Sequence, residues 1–553
     1  MSSGSFSMKR SFFLLGLLLL VYLLNLRLDV MEVDAAQYAS IAREMWETSS
    51  YLEVYHRGQD YLDKPPLLFW LSSAMFHLTG PTNVGYKLPA LLALLLGLWA
   101  TYQFTKTWYS EKIARWATWM TGTCQAYLLM TNDIRTDGLL TGFLMVAFWQ
   151  ISRYLKYQAT SGLIWAAVAV GMGMLAKGPI ALILFGAGVG IHLLMSRDWR
   201  NLFHLQWIPF LALVGLLLIP MCYGLYHQFD LHPEKEVYGL KGPSGLRFFF
   251  WTQSFGRITG EIYWENDTSF FYFFHTILWD FQPWVFLFIP ALFTRLSSVR
   301  KGSEWITIGA FLLGFLALST SRYKLPHYIF PLLPLASILT AAFLNSIPDR
   351  TQWMRGLGSV YHVLFILLLI SCYFFFKPIT WLIPVGIVAG WALFSWWLYS
   401  GKFSKETWLQ SVGFASVFFG LMMSLYIYPS VLPYQSETQV GKEIKKGQWP
   451  SNFGTLGLIG HSLDFYAQRI IPQHTSEEIL TLPEHYHLYV DQGGLEAITR
   501  RHRTYTIRAT YDDYHVTALT LPFLMATTRK TRVQPTYVIS LGPATNASSD
   551  VAK

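Results

Sequence analysis

The sequence predicts a polytopic α-helical membrane protein carrying a small α/β domain at its C-terminal end. Three observations predict it. Hydrophobic residues make up 53% of the 553 and charged residues only 14%, against about a quarter charged in soluble domains, and the mean hydropathy is +0.32. Apolar runs of about 17 to 25 residues, the length that crosses a bilayer, recur between residues 10 and 428. After residue 428 the composition turns polar, and short strand-like and helix-like stretches alternate.

The runs lie near 10–27, 84–105, 114–132, 137–156, 160–175, 178–196, 205–226, 272–294, 304–320, 326–345, 357–376, 379–399 and 408–428, thirteen in all. The first follows Lys9 and Arg10, a flank shared by signal peptides and first transmembrane helices. No small-residue cleavage pattern comes after it, so it reads as a retained helix. Cytoplasmic loops collect lysine and arginine, which orients the chain. With the N-terminus inside, the inner loops hold Lys106, Lys112 and Arg115; Arg153 and Lys156; Arg197 and Arg200; Arg295, Arg300 and Lys301; Arg350 and Arg355; and Lys402 and Lys405. An odd number of spans then puts the tail on the opposite side. The expected organisation is a transmembrane domain over 1–428 with outer loops 28–83 and 227–271, and a periplasmic α/β domain over 429–553. Its elements come from GTLGLIG, SLDFYAQR, HYHLYVD, GLEAITRRH, TYTIRA and PTYVISLG, and the end, PATNASSDVAK, reads as a disordered tail. The net charge of +9 follows from the loop bias and does not point to nucleic acid. Cys124, Cys222 and Cys372 fall in or at the ends of spans without metal-ligand spacing and read as small core residues.

This topology gathers loops 28–83, 133–137, 227–271 and 321–326 on one outer face. The first holds Asp34, then a helix-like segment whose Ala36, Tyr38, Ile41, Ala42 and Met45 form a face for the membrane surface. Asp63 and Lys64 follow, directly before Pro65 and Pro66. Each proline locks its own φ and extends the residue before it, so Lys64 stands on a stiff mount where an ammonium can meet a lipid phosphate. The alternative use of such a lysine is snorkelling to headgroups. Asp133 and Asp137, in MTNDIRTDGLL, are four residues apart and share a face if helical. Carboxylates at that depth are costly and read as functional; Asp137 is the expected chemical residue and Asp133 a cap or support. Loop 227–271 mixes histidines, acids and aromatics and reads as a substrate cover. His227, Asp230 and His232 have no diagnostic metal spacing, whereas Arg257 among aromatics suits a bidentate anion grip. In SRYKLPHYIFPLLP, Arg322 and Lys324 precede Pro326 at the outer end of a span. Tyr328 lies four residues after Lys324 and can share its anion if the helix starts there. Lys177, in LAKGPIA, is a third outer lysine before a Gly-Pro break.

DAAQYASIAREM, YLDKPPLLFWL, TDGLL, LAKGPIAL and YKLPHYIFP, in that order over residues 10–345, resemble the bacterial lipid-linked-sugar glycosyltransferases of the GT-C fold. The nearest families are the lipid A aminoarabinose transferases and the protein O-mannosyltransferases. The resemblance implies transfer of a sugar from a polyprenyl phosphate donor to an envelope acceptor such as lipid A, a glycan or a protein, on the periplasmic side of the cytoplasmic membrane. It implies Asp34 as catalytic aspartate, Asp137 as the second acid, Lys64, Arg257, Lys324 and Tyr328 as donor-phosphate contacts, and Asp63, Asp133 and Tyr38 as support. In such chemistry fixed cations stabilise the leaving phosphate and a carboxylate takes the acceptor's proton, with inversion at the anomeric carbon. The chain departs from the family where many relatives carry an acid after the first aspartate, since Ala35 stands there. It departs also from the aminoarabinose transferases, with Asp63 for their glutamate and Ser254 near the place of a histidine. No cofactor is expected, and a divalent metal has no support in ligand spacing. A transporter or flippase of a lipid-linked sugar is the alternative class: it uses the same cations but needs no carboxylate base.

Overall fold

The computed structural model describes residues 2–254, 256–259, 266, 268–297, 304–348, 351–376, 381–399, 404–458 and 460–544. The side chains of Arg257 and Cys372, the basic residues Arg300, Lys301, Arg350 and Lys402, and the tail beyond Ala544 lie outside the described residues.

Every expected span coincides with helix. α1 (Ser2–Asn25) leads to a first long loop that holds α2 (Asp34–Thr48) and α3 (Leu67–Thr79). Then come α4 (Asn83–Trp108), α5 (Glu111–Thr123) with its short continuation α6 (Gln125–Met130), α7 (Thr136–Tyr157), α8 (Thr160–Lys177), α9 (Ile180–Met195) and α10 (Trp207–Leu225). The span near 272–294 is two helices, α11 (Tyr272–Asp280) and α12 (Val285–Ser297), parted at Pro283, whose ring cannot continue the ladder. α13 (Ile306–Thr320), a 3₁₀ turn Pro326–Leu332 running into α14 (Leu333–Ser346), α15 (Thr351–Phe376), α16 (Leu382–Tyr399) and α17 (Lys405–Met422) complete the bundle. Among the described residues six helical stretches are long and apolar enough to cross a membrane, and shorter apolar helices accompany them.

Close packing in the bundle depends on small residues, because lipid gives apolar helices little hydrophobic reason to associate. At the crossing of α4 and α7 a Cβ on Gly142 would lie 2.2 Å from the Ala93 carbonyl oxygen, and one on Gly97 would lie 2.8 Å from Gly142 Cα. The two backbones therefore touch, and this contact sets the position of the N-terminal end of α7, whose first turn holds Asp137.

The C-terminal region forms a five-stranded mixed sheet from β1 (Phe453–Leu456), β2 (Gln473–His474), β3 (His487–Val490), β4 (Arg503–Asp513) and β5 (Gln534–Ala544), ordered β2-β1-β3-β5-β4. β1 is parallel to β2 and β3, pairing Phe453 with His487, while β5 runs antiparallel to β3 and β4. Helices α18 (Ser436–Lys445), α19 (His461–Ala467) and α20 (Gln492–Arg500) belong to the same region.

This region is clamped to the first long loop. Lys442 Nζ meets Asp29 at 2.7 Å, Tyr466 Oη accepts from the Val30 N–H at 2.7 Å, and Gln435 accepts from the Glu32 N–H at 2.9 Å. Arg57 pairs with the buried Asp464 and donates to the Ile471 carbonyl at 2.6 Å. Arg57 is itself held in a tight turn, where Glu44 accepts the N–H groups of Arg57 at 2.7 Å and Gly58 at 2.8 Å. The consequence falls on α2. Its Ala36, Tyr38, Ile41, Ala42 and Met45 are buried, but so are Ala35, Ala39, Ser40, Arg43 and Glu44. The helix is enclosed by α3 and α19 instead of resting one face on a membrane surface.

Candidate functional site

Asp34 is the first residue of α2, where the helix dipole favours a carboxylate. Arg135 carries an ion pair to Asp34 with one guanidinium nitrogen and bonds Asp133 at 2.9 Å through Nε. Burial opposes charge on Arg135, but the Asp133 and Asp34 carboxylates outweigh it and hold the guanidinium more firmly protonated than usual. Asp133 therefore supports Arg135. It does not cap α7, whose N-cap residue, Arg135 itself, makes no side-chain cap bond. Arg135 was absent from the expected site. Its signal was a lone arginine between two acids in an outer loop otherwise poor in basic residues.

Asp137 is 3% exposed in its side chain and is paired by Lys177, with His327 Nε2 at 3.8 Å from its other oxygen. Lys177 reaches it from the tip of the α8–α9 hairpin. Gly178 ends α8 at φ +88°, a conformation that strains any residue with a Cβ, and Pro179 starts the next helix. The Lys177 ammonium also lies 4.2 Å from the centroid of the Tyr328 ring. Lys64, on its two-proline mount before α3, pairs with Asp63, whose second oxygen accepts from Gln253 at 3.3 Å. Gln253 comes from the second long loop, which is tied to the first loop where Gln228 exchanges bonds with the Val54 backbone at 3.0 and 2.9 Å.

One cavity of about 180 Å³ collects these groups. Lys64, Lys177, Asp137, Tyr328, Gln253, Ser254 and Ser321 supply its polar lining, and Leu140, Ile180, Ile183, Leu184, Ala317, Leu318 and Pro331 its apolar walls. A lining that combines lysines with aliphatic walls matches an amphiphile with an anionic head. Tyr38 lies in the field of both Asp34 and Asp63. It is 3% exposed, and burial together with the charges of Asp34 and Asp63 keeps its hydroxyl protonated, with Arg135 opposing and Tyr328 adding to the effect.

The remaining expected residues fall elsewhere. Lys324 is 3% exposed and its ammonium donates to the Thr268 carbonyl at 3.2 Å, away from the cavity lining; desolvation lowers its pKa. The helical turn starts at Pro326 as expected, but it sends Tyr328 toward Lys177. His227 bonds Glu53 at 2.6 Å and His232 bonds Glu234 at 2.9 Å, while Asp230 accepts from Ser244 and the Gly245 N–H and so closes its own loop. Among the described residues no group of three or more His, Cys, Asp or Glu is arranged to hold a metal.

Residues 63–223 match the model of the dolichyl-phosphate-mannose-protein mannosyltransferase family. An uncharacterised protein of Aquifex aeolicus is 26% identical over 481 residues, covering 85% of this chain and 89% of its own. The undecaprenyl phosphate-alpha-4-amino-4-deoxy-L-arabinose arabinosyl transferase of Edwardsiella ictaluri is 25% identical over 355 residues, 60% of this chain, and the match spans 61% of that relative's length. In three dimensions the chain superposes on ArnT from Cupriavidus metallidurans, solved bound to undecaprenyl phosphate, with a TM-score of 0.72 over 100% of both chains at 17% identity. The apo form of that protein gives 0.70 over 96% of this chain and 97% of its own. The fold is thus the GT-C fold that the motif order led us to expect.

Proposed function

We propose that this chain, a membrane glycosyltransferase of the GT-C fold, moves a sugar from undecaprenyl phosphate to a hydroxyl of an envelope acceptor on the periplasmic face of the cytoplasmic membrane. The observation that carries this reading is the cavity lined by Lys64 and Lys177 together with aliphatic side chains of Leu140, Ile180, Ile183 and Leu184. The ligand named for the fold relative, undecaprenyl phosphate, has that same division of charge and hydrocarbon.

In this reading Lys64 and Lys177 hold the donor phosphate, and Tyr328 seats the Lys177 ammonium against its ring. Both lysines stand beside carboxylates, Asp63 and Asp137, that fix them in place before the phosphate shares their charge. As the bond from the anomeric carbon to the phosphate oxygen breaks, negative charge grows on that oxygen, and cations already in position stabilise it without reorganisation. The acceptor oxygen attacks the opposite face of the anomeric carbon, its proton passes to the Asp34 carboxylate, and undecaprenyl phosphate leaves. Arg135 orients Asp34 for that step. Single displacement inverts the anomeric centre.

The test is transfer of radiolabelled sugar from undecaprenyl phosphate to envelope lipid extract by the purified protein in nanodiscs, for the native chain, Asp34→Asn and Lys64→Ala. Loss of transfer in both, with carrier affinity weakened mainly in Lys64→Ala, is expected. Transfer that survives Asp34→Asn removes the base, and carrier movement across the bilayer without any transfer would replace the enzyme by a flippase.

A further inference from the structure

A second cavity, of about 520 Å³, lies where the C-terminal region meets the first and second long loops, and its lining includes Gln37, His56, Asp60, Tyr61, His461 and Gln473. Its size falls within the ~300–1,000 Å³ of small-molecule sites. None of its residues lines the cationic cavity described above.

Its chemistry is polar without free charge. The Arg57 guanidinium in its wall is neutralised by Asp464, and Asp60 by Lys235 at 3.0 Å. The two histidines face each other, His461 Nδ1 lying 3.2 Å from His56 Nε2 with ring centroids 4.8 Å apart, an arrangement that needs at least one neutral imidazole. Desolvation holds both neutral at ordinary pH, His56 pushed down to about 3 and His461 to about 4, Arg57 adding to each and Asp34 opposing for His461. Amide groups, neutral imidazoles and the faces of Tyr61 and Tyr238 remain to recognise a ligand. That combination suits the hydroxyls and C–H faces of a sugar.

Two observations connect this cavity with the reacting centre. Gln37 follows Asp34 by three residues on α2, about 4.5 Å along the axis at 1.5 Å per residue. Tyr61 is 3% exposed, its hydroxyl has no hydrogen-bond partner among the described residues, and it lies in the field of both Asp63 and Asp34. Besides the junction cavity, Tyr61 lines a small pocket that also holds Lys64.

We propose that the junction cavity binds an uncharged carbohydrate unit of the acceptor and presents one of its hydroxyls to Asp34, with Tyr61 as a hydrogen-bonding group in its wall. This assignment rests on the glycosyl-transfer reading above. It gives the C-terminal region a specific task, since His461 and Gln473 build one wall.

The test uses the full chain in nanodiscs, the undecaprenyl-phosphate-linked 4-amino-4-deoxy-L-arabinose donor and an envelope lipid extract as acceptor. Gln473 is exposed at a sheet edge, so Gln473→Trp fills the cavity without touching the core, and Gln473→Ala removes one polar contact. The expected result is an acceptor KM raised at least tenfold in Gln473→Trp and severalfold in Gln473→Ala, with donor Kd within twofold of native. Methyl glycosides should compete with the acceptor. An unchanged acceptor KM in Gln473→Trp, or competition by a threonine-containing peptide in place of glycosides, overturns the assignment. Absence of transfer by the native chain with this and other carrier-linked sugars refutes the glycosyl-transfer reading itself. A Gln473→Trp variant that also loses donor binding leaves the decision to Gln473→Ala, whose KM then supports or overturns the cavity alone.

Discussion

Lys177 and Asp137 allow the role of a buried ion pair to be separated from the role of a ligand. Asp137 is 3% exposed and Lys177 14%, so removal of either leaves an uncompensated charge out of water. Breaking such a pair from one side costs about 3–5 kcal/mol, whereas replacing both partners with apolar groups is often near neutral. Lys177→Met is therefore expected to destabilise the protein by about 3–5 kcal/mol. Lys177→Met with Asp137→Leu should return most of that stability. Donor binding should follow a different pattern. A hydrogen bond to a charged group contributes about 1.5–3 kcal/mol, so both variants lacking Lys177 should bind undecaprenyl phosphate roughly ten- to a hundredfold more weakly. Asp137→Asn, which leaves Lys177 with one competitor fewer, should bind it at least as tightly as the native chain. The assays are residual folded fraction after thermal challenge in nanodiscs and equilibrium binding of the carrier phosphate. Native donor affinity in the stable double variant would refute the phosphate role of Lys177 and confine it to holding Asp137. Tight binding with transfer abolished in Asp137→Asn would instead make Asp137 a direct participant in the chemistry.

Asp34→Asn should lower transfer by about 10²–10⁴, the usual contribution of a positioned general base, with carrier affinity within twofold of native. Arg135→Met should reduce transfer as strongly while Arg135→Lys recovers only part, because one ammonium cannot serve both carboxylates in the geometry of a guanidinium; native activity in Arg135→Lys would show that only charge matters. Arg57→Ala leaves the buried Asp464 unpaired and should loosen the C-terminal region from the first loop, seen as faster amide exchange in α2 and α19. Protonation adds a pH term. The folded pKa values of His56 and His461 lie below the ordinary 6.5, so their contribution is complete above that value and is lost as pH falls from about 6.5 toward 4. The difference in proteolytic release of the C-terminal region between the native chain and the His56→Gln, His461→Gln double variant should open over that window and vanish at pH 7.5.

The spans were legible because a helix in a bilayer must satisfy its own backbone and bury apolar side chains over a set length. That constraint acts on consecutive residues, so all thirteen runs from 10–27 to 408–428 reappear as helix, with interruptions at Cys124 and Pro283. Lys64 and Lys177 were legible for a related reason, since each sits where proline or Gly-Pro makes the local backbone rigid. Local pattern also revealed most of the C-terminal elements, but not α18 or the two-residue β2, which are too short or too polar to stand out.

Partnerships across the chain were not legible. Arg135 answers Asp34 from 101 residues away, Lys177 answers Asp137 from 40, and Arg57 answers Asp464 from 407. Lys324 and Tyr328, four residues apart, read as one anion site, yet the 3₁₀ turn between them points them to different neighbours. By itself the sequence determined the membrane fold, the outer loops that carry the polar residues and the kinds of charge they bear, because hydropathy, proline geometry and loop charge act locally. Which carboxylate meets which cation, how α2 comes to be enclosed, and which residues share a cavity were decided only by tertiary packing, because ion pairs and cavity walls depend on distances that residue order does not encode.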